Sequence, residues 1–418
     1  MSLEDDGLML TCPGDHAPAL LRTEYSNAHL NPQTAEKGLF RYREWLPVAR
    51  TYENAAHPVV YKAKNLGKAL GLQNLWIAFN GYWPEIGAML ATATFKEFEA
   101  YTVLGRLPRS PLVLTVASSG NTAAAFAWVC SREGTPCIII VPGNGLHRLS
   151  FQARLNRCVN VIVIDDGDYP DAMELASAVS RESPFCAEGG VRNVARRDGL
   201  GVVLLAALEE MKCLPSYYFQ AVGSGTGAIA VLEASKRVRG MDPGMPLPRM
   251  MLCQNRPFTP IYDAWQGKSR SLSDVSAGRL RSAIKEVMAD ELTNWLPPYE
   301  IRGGVHDILA ESNGDVMVAD NASVQAAKEI VLELEGIDIE PAAAVAVACL
   351  RDAAVRGVVD RASVILLNVT GGGRLRLRQD YSLIQAEPRL RLTRRSLSDG
   401  SAVNDIKTLY EADTVTVG

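Results

Sequence analysis

The feature that most constrains this chain is a recurrence of short apolar runs, each ending in a turn of small residues and passing into a helical stretch. Residues 111–117 (Pro-Leu-Val-Leu-Thr-Val-Ala) have strand length and lead through Ser118-Ser119-Gly120-Asn121 into an Ala-rich stretch reaching Cys130. Residues 137–141 form a second run, followed by a polar segment expected to be helical and to end near Arg157, then by residues 161–164. A second series begins at 217–222, passes a glycine loop and a helix to Arg237, and resumes at 249–254. It closes with helices at about 323–335 and 342–356 and a strand at 363–369. Strands without polar alternation must be covered on both faces, so runs alternating with helices predict parallel sheets wrapped by helices. Two such series predict two α/β lobes.

A length of 418 residues fits two or three domains. With 47% apolar and 22% charged residues the chain is ordinary for a folded protein, which excludes disordered and low-complexity classes. A formal net charge of −4 argues against a nucleic-acid surface, which needs clustered Lys and Arg, and points to small-molecule partners. The 8 cysteines are scattered without a Cys-x-x-Cys pair, as expected of buried thiols in a reducing compartment. No run approaches the roughly 18 apolar residues of a membrane span. The start, Leu3-Glu4-Asp5-Asp6, lacks a basic-then-apolar leader. A cytoplasmic location and no membrane partner are the expectations.

Four features carry chemistry. Lys96, in Thr94-Phe95-Lys96-Glu97-Phe98-Glu99-Ala100, falls in the first turn of a helix, whose positive end disfavours an ammonium and suits Schiff-base and base chemistry. The turn Ser118-Ser119-Gly120-Asn121-Thr122 follows a buried strand; its side chains can cap the helix, and its backbone N–H groups can form a nest for a carboxylate. Gly223-Ser224-Gly225-Thr226-Gly227 repeats that placement with glycines spaced G-x-G-x-G, which suits a monophosphate better than the G-x-G-x-x-G of dinucleotide sites. Last, Thr370 stands at the end of the final strand before Gly371-Gly372-Gly373. Singly, these also suit a solvated lysine, a helix cap, a glycine-rich turn and a strand exit. Their order is the stronger signal.

Lysine, Ser-Ser-Gly-Asn turn, glycine loop and terminal threonine together resemble the fold-type II pyridoxal-phosphate enzymes. Residues 335–344 (Glu-Gly-Ile-Asp-Ile-Glu-Pro-Ala-Ala-Ala) are similar to a stretch of the threonine synthase branch. Leu21-Arg22-Thr23-Glu24-Tyr25, residues 38–48 and Gly81-Tyr82-Trp83-Pro84-Glu85 look most like the cysteate synthase family within it. The resemblance implies two open twisted-sheet α/β domains of the tryptophan synthase β type, with pyridoxal 5′-phosphate in the interdomain cleft. It implies an N-terminal segment 1–91 packed on the large domain, a small domain 92–195 containing Lys96 and Asn121, a large domain 196–386, and a peripheral tail 387–418.

By motif, Lys96 holds the cofactor as a Schiff base, Asn121 bonds its 3′-hydroxyl, Gly223, Ser224, Gly225, Thr226 and Gly227 cradle its phosphate, and Thr370 faces the pyridine nitrogen. Ser118, Ser119, Gly120 and Thr122 receive the substrate carboxylate. Tyr82, Asn144, His147, Arg148 and Asn255 are candidates for holding a substrate anion. The reaction expected is β-replacement on O-phospho-L-serine by sulfite through an aminoacrylate, giving L-cysteate and phosphate. Threonine synthesis from O-phosphohomoserine and water, β-replacement by another sulfur nucleophile, and a non-catalytic cofactor or amino-acid binder are the alternatives. A homodimer is also implied. Archaeal relatives often begin with paired Cys-x-x-Cys motifs, whereas Cys12 and His16 here cannot close a four-coordinate site, so no structural zinc is expected.

Overall fold

A computed structural model describes residues 2–415, and the side chains of residues 2–411. The chain divides into two compact units. One comprises residues 1–8, 106–190 and 381–418, the other residues 9–105 and 191–380.

The first unit is built on a five-stranded sheet, ordered Leu390–Leu392, Val159–Ile164, Cys137–Pro142, Val113–Ala117, Phe185–Ala187. Every neighbouring pair is parallel. Cys137–Pro142 and Val159–Ile164 are buried along their whole length, as a strand covered on both faces must be. The helix Tyr169–Val179 packs Ala172, Leu175, Ala176 and Val179 into the core over Ile138, Ile140, Ile162 and Ile164. A reciprocal cap between Asp168 and Asp171 fixes where that helix begins.

The second unit holds a six-stranded sheet, ordered Val59–Lys62, Asn74–Phe79, Val364–Val369, Tyr217–Ala221, Arg249–Asn255, Asp315–Ala319. Only the edge strand Val59–Lys62 runs antiparallel to its neighbour. The helix Pro341–Val355 forms the middle of this core, with Ala342 through Leu350 all buried, since its alanines let backbone and sheet approach closely. The parallel strands share one direction, so the turns after Phe79, Ala221 and Val369 leave the same edge of the sheet, where open α/β sheets carry their ligands.

Most expected strands and helices lie within two or three residues of their sequence positions. Four expectations are corrected. The segment before Arg157 is not a helix of any length: Gly143–Arg148 makes a short 3-10 turn and Ser150–Phe151 a short strand, because Pro142, Gly143 and Gly145 interrupt regular helix. The first 90 residues, whose interleaved Pro, Asn and aromatic residues suit loops and short helices, supply the edge strand Val59–Lys62 as well as Asn74–Phe79, the strand that the apolar run Leu75–Phe79 suits. The expected peripheral tail adds the strand Leu390–Leu392 beside Val159–Ile164, and the helix Ser401–Val415 sends Ala402 and Ile406 into the first unit's core. Leu390 and Leu392 are two apart, so a strand turns both toward one face, and they pack against that core.

The fourth correction concerns Lys96. Expected in a small domain spanning 92–195, it belongs with the second unit, which includes residues 9–105. Backbone bonds explain this. The N–H of Phe95 donates to the carbonyl of Thr370 at 3.0 Å, the N–H of Gly372 to the carbonyl of Ala93 at 3.0 Å, and Thr94 bridges to Gly371. The lysine is thereby stitched to the end of the second unit's strand Val364–Val369.

Candidate active site

Lys96 is the first residue of the helix Lys96–Arg106. Its side chain is 18% exposed, and its Nζ lies 5.0 Å from the centre of the Phe95 ring. The turn before it is held by Glu97, whose Oε1 accepts from the backbone N–H of Thr92 and, at 2.8 Å, from the Thr92 hydroxyl. One turn on, the fully buried carboxylate of Glu99 accepts from Lys96 Nζ at 3.2 Å and from Arg196 Nη2 at 3.0 Å. The helix terminus disfavours an ammonium at Lys96 while Glu99 favours one. Sequence reasoning supplied only the first of these influences; the i,i+3 spacing of Lys96 and Glu99 was the available signal for the second.

The glycine loop lies in the same unit, between Tyr217–Ala221 and the helix Thr226–Met241. Each glycine is closely approached by its neighbours. A Cβ on Gly223 would stand 3.0 Å from the carbonyl of Leu292, and one on Gly227 would stand 2.8 Å from Gln220 Nε2 and 3.0 Å from the Phe95 ring. Gly225 has a φ of +75° and would meet Val305 Cγ2 at 2.5 Å. Gly225 is the N-cap of the helix and has no side chain to cap it, and Ser224 Oγ accepts from Thr226 N–H at 3.3 Å. Ser224 and Thr226 share a hydroxyl contact at 2.8 Å.

Beneath the loop, buried polar groups are joined: Asn80 Nδ2 donates to Asn368 Oδ1 at 2.7 Å, Asn368 Nδ2 to the Tyr218 hydroxyl at 2.7 Å, and that hydroxyl to Gln220 Oε1 at 2.6 Å. Gln220 in turn faces Gly227.

Thr370 is buried and opens the segment that ties this site to residues 335–344. Glu340 N–H donates to the Gly371 carbonyl at 3.1 Å, and Gly373 N–H to the Asp338 carbonyl at 2.7 Å. A Cβ on Gly371 would sit 2.5 Å from Glu340 Oε2, and Arg374 pairs with the other oxygen of that carboxylate. The Glu-Pro-Ala-Ala-Ala stretch thus serves as the buttress of the Thr370 turn.

In the other unit, the helix Asn121–Glu133 begins with Gly120 as N-cap, a residue with no side chain to cap the helix. Ser118 Oγ accepts from Gly120 N–H at 3.2 Å. Arg148, from the 3-10 turn Gly143–Arg148, donates from Nη1 to the Ser119 carbonyl at 3.2 Å and lies against Gly120. Of the anion candidates it is the one brought to the turn. Asn144 and His147 are exposed, with His147 Nδ1 bonded to the Asn144 carbonyl at 2.7 Å.

Tyr82 and Asn255 are occupied elsewhere. The Tyr82 hydroxyl donates to Asp380 at 2.8 Å. Asn255, buried at a strand end, donates from Nδ2 to the Ala319 carbonyl at 3.0 Å and accepts at Oδ1 from Ala289 N–H at 3.0 Å. That double use makes its amide a clasp between loops.

This donor set fits pyridoxal phosphate. A primary amine is inset beside an aromatic ring, and the start of a 16-residue helix brings backbone N–H groups and two hydroxyls together, with no carboxylate among residues 223–227, as a phosphate requires. The sequence profile of the family described as pyridoxal-phosphate dependent enzyme matches residues 59–371, and the chain belongs to that family. Its cofactor is pyridoxal 5′-phosphate.

Within the family, the chain is 42% identical over 393 residues to cysteate synthase of Methanospirillum hungatei JF-1, covering 94% of this chain and 92% of that protein. Cysteate synthase of Methanosarcina barkeri is 41% identical over 383 residues, covering 91% of each. Among solved structures, processed threonine deaminase isoform 2 from Solanum lycopersicum superposes with a TM-score of 0.59 at 17% identity, covering 86% of this chain and 98% of that one. Maize serine racemase gives 0.57 at 18% identity, covering 77% and 90%. These likenesses show the fold: it is fold type II.

Proposed function

We propose that this protein catalyses β-replacement on O-phospho-L-serine by sulfite, releasing L-cysteate and phosphate. The observation that carries the reading is the likeness to cysteate synthases over more than nine-tenths of the chain, at 42% and 41% identity for two of them, 94% and 91% of the chain being covered. The Lys96 and glycine-loop geometry supports it, since both parts of a cofactor holder lie in one unit.

When bound, pyridoxal phosphate supplies an electron sink for the bond broken at the substrate's Cα. The chain's own groups do the rest. Lys96 anchors the cofactor through its amine, and once released removes the α-proton and later returns it to Cα. Backbone N–H groups of residues 223–227, with the Ser224 and Thr226 hydroxyls, hold the cofactor phosphate. Thr370 would offer its hydroxyl to the ring nitrogen, where a hydroxyl would stabilise positive charge less than a carboxylate. That favours early departure of a good leaving group from Cβ. Asn121 bonds the 3′-hydroxyl, and Ser118, Ser119, Gly120 and Thr122 receive the substrate carboxylate. Arg148, beside Ser119 and Gly120, gives the cationic contact for the leaving phosphate and the incoming sulfite.

The same reading takes the enzyme to be a cytoplasmic homodimer acting on small molecules, without nucleic-acid or membrane partners. Among the described residues no helix is long and apolar enough to cross a membrane. The deciding experiment is product analysis with O-phosphoserine and O-phosphohomoserine, each with and without sulfite. Sulfite-dependent cysteate from O-phosphoserine is expected; threonine from O-phosphohomoserine without any cysteate would overturn the reading.

A further inference from the structure

Glu99 is a carboxylate with no access to solvent, yet a cation it accepts from is a residue whose amine must leave it. Its Oε2 accepts from Lys96 Nζ at 3.2 Å, and its Oε1 from Arg196 Nη2 at 3.0 Å. Lys96 and Glu99 stand on the same helix one turn apart, so helix geometry sets their spacing. Arg196 comes from a different helix, Val194–Met211, so its hold on Glu99 is independent of where the lysine points.

Covalent attachment of Lys96 to the cofactor draws Nζ into a new bond. A buried carboxylate left without a cation is strongly unfavourable. Arg196 removes that difficulty, because Glu99 stays paired while Lys96 is away. The neighbouring carboxylates are committed elsewhere: Glu97 accepts from Thr92, and Glu340 pairs with Arg374.

We propose that Glu99 is the positioning residue that receives the Lys96 amine whenever that amine is not attached to the cofactor, and that Arg196 holds Glu99 in place for it. Resting on the function proposed above, this gives the lysine a defined waiting position. Having taken the substrate's α-proton with its lone pair, Nζ is an ammonium, and Glu99 keeps it charged and oriented until the proton goes back to Cα. Before substrate arrives, the same contact opposes attachment, since only the neutral amine can attack the cofactor's aldehyde carbon and form the carbon–nitrogen double bond as water leaves.

The test uses the full-length chain freed of cofactor and remixed with pyridoxal phosphate alone across a range of pH, following the rate at which the lysine-bound absorbance band grows. No substrate is present, so the result is independent of which phospho-amino acid or nucleophile the enzyme uses. Glu99→Gln removes the charge that favours the ammonium and is expected to move the midpoint of the rate profile down by about one pH unit, a roughly tenfold faster attachment below the midpoint. Arg196→Gln removes the competing cation and is expected to move the midpoint up. Glu99→Asp should recover part of the wild-type position. Opposite shifts are not what loss of packing produces. Unshifted midpoints, or shifts in the same direction, would overturn the proposal. Should Glu99→Gln fail to fold, Arg196→Gln decides it alone, an upward shift supporting the assignment and an unmoved midpoint overturning it.

Discussion

The backbone N–H of Phe95 donates to the carbonyl of Thr370 at 3.0 Å, while its ring sits where a side chain on Gly227 would have to go. One residue therefore touches three parts of the candidate site: the lysine that follows it, the threonine it bonds and the glycine loop it abuts. That relationship places Lys96 with the second unit and makes the residues around it sensitive to small changes.

Lys96→Ala removes the amine proposed to anchor the cofactor. The purified variant is expected to lose the band near about 420 nm given by lysine-bound pyridoxal phosphate. Its turnover should fall by at least about 10²–10⁴-fold, the usual loss when a proton-transferring group is removed. Absorbance spectra and product assays check both; a band retained in the variant would mean that another lysine holds the cofactor.

Arg148→Gln keeps a hydrogen-bonding group beside Ser119 but deletes the charge. Hydrogen bonds to charged groups are worth about 1.5–3 kcal/mol, so kcat/KM for O-phosphoserine should fall roughly 10–150-fold. His147→Ala and Asn144→Ala, at exposed positions, should stay within about twofold, as surface substitutions usually do. Steady-state kinetics on the three variants would show whether the ranking holds.

Gly225→Ala forces a side chain into the left-handed region and against Val305 Cγ2 at 2.5 Å. Strain of this kind costs about 1–3 kcal/mol. Weaker retention of pyridoxal phosphate on dialysis and a lower unfolding temperature are both expected. Calorimetry and absorbance would detect them, and an unchanged protein would show that the loop has room to shift.

Cys12 should be alkylated ahead of Cys158 and Cys186 at neutral pH. His16 beside it, then the Gly14 N–H donating to Sγ at 3.5 Å, hold its thiol below the usual value. Burial pushes Cys158 and Cys186 up to about 11. Iodoacetamide reacts with the thiolate, so a lowered thiol reacts at a lower pH and a raised one only at higher pH. Mass-spectrometric mapping at pH 7 should find Cys12 labelled ahead of Cys158 and Cys186, and His16→Ala should slow it. Equal labelling of the three would contradict this.

The sequence by itself determined most of the elements and the residue types that stand at each turn. Apolar runs of strand length and glycines at strand ends are local signals, and they located Lys96, the Ser118–Thr122 turn, residues 223–227 and Thr370 before any fold was known. Tertiary structure alone decided what those turns touch. Arg196 meets Glu99 across about a hundred residues of chain, Arg148 reaches the Ser119 carbonyl, and Leu390–Leu392 becomes a strand only because Val159–Ile164 offers an edge to pair with. Tyr82 and Asn255 show the converse, since a residue type suited to an anion was already committed to Asp380 or to Ala289 and Ala319. The physical reason is that strand and turn propensities act between near neighbours, whereas a buried charge or amide is assigned its partner by whichever distant backbone the packed core brings alongside it.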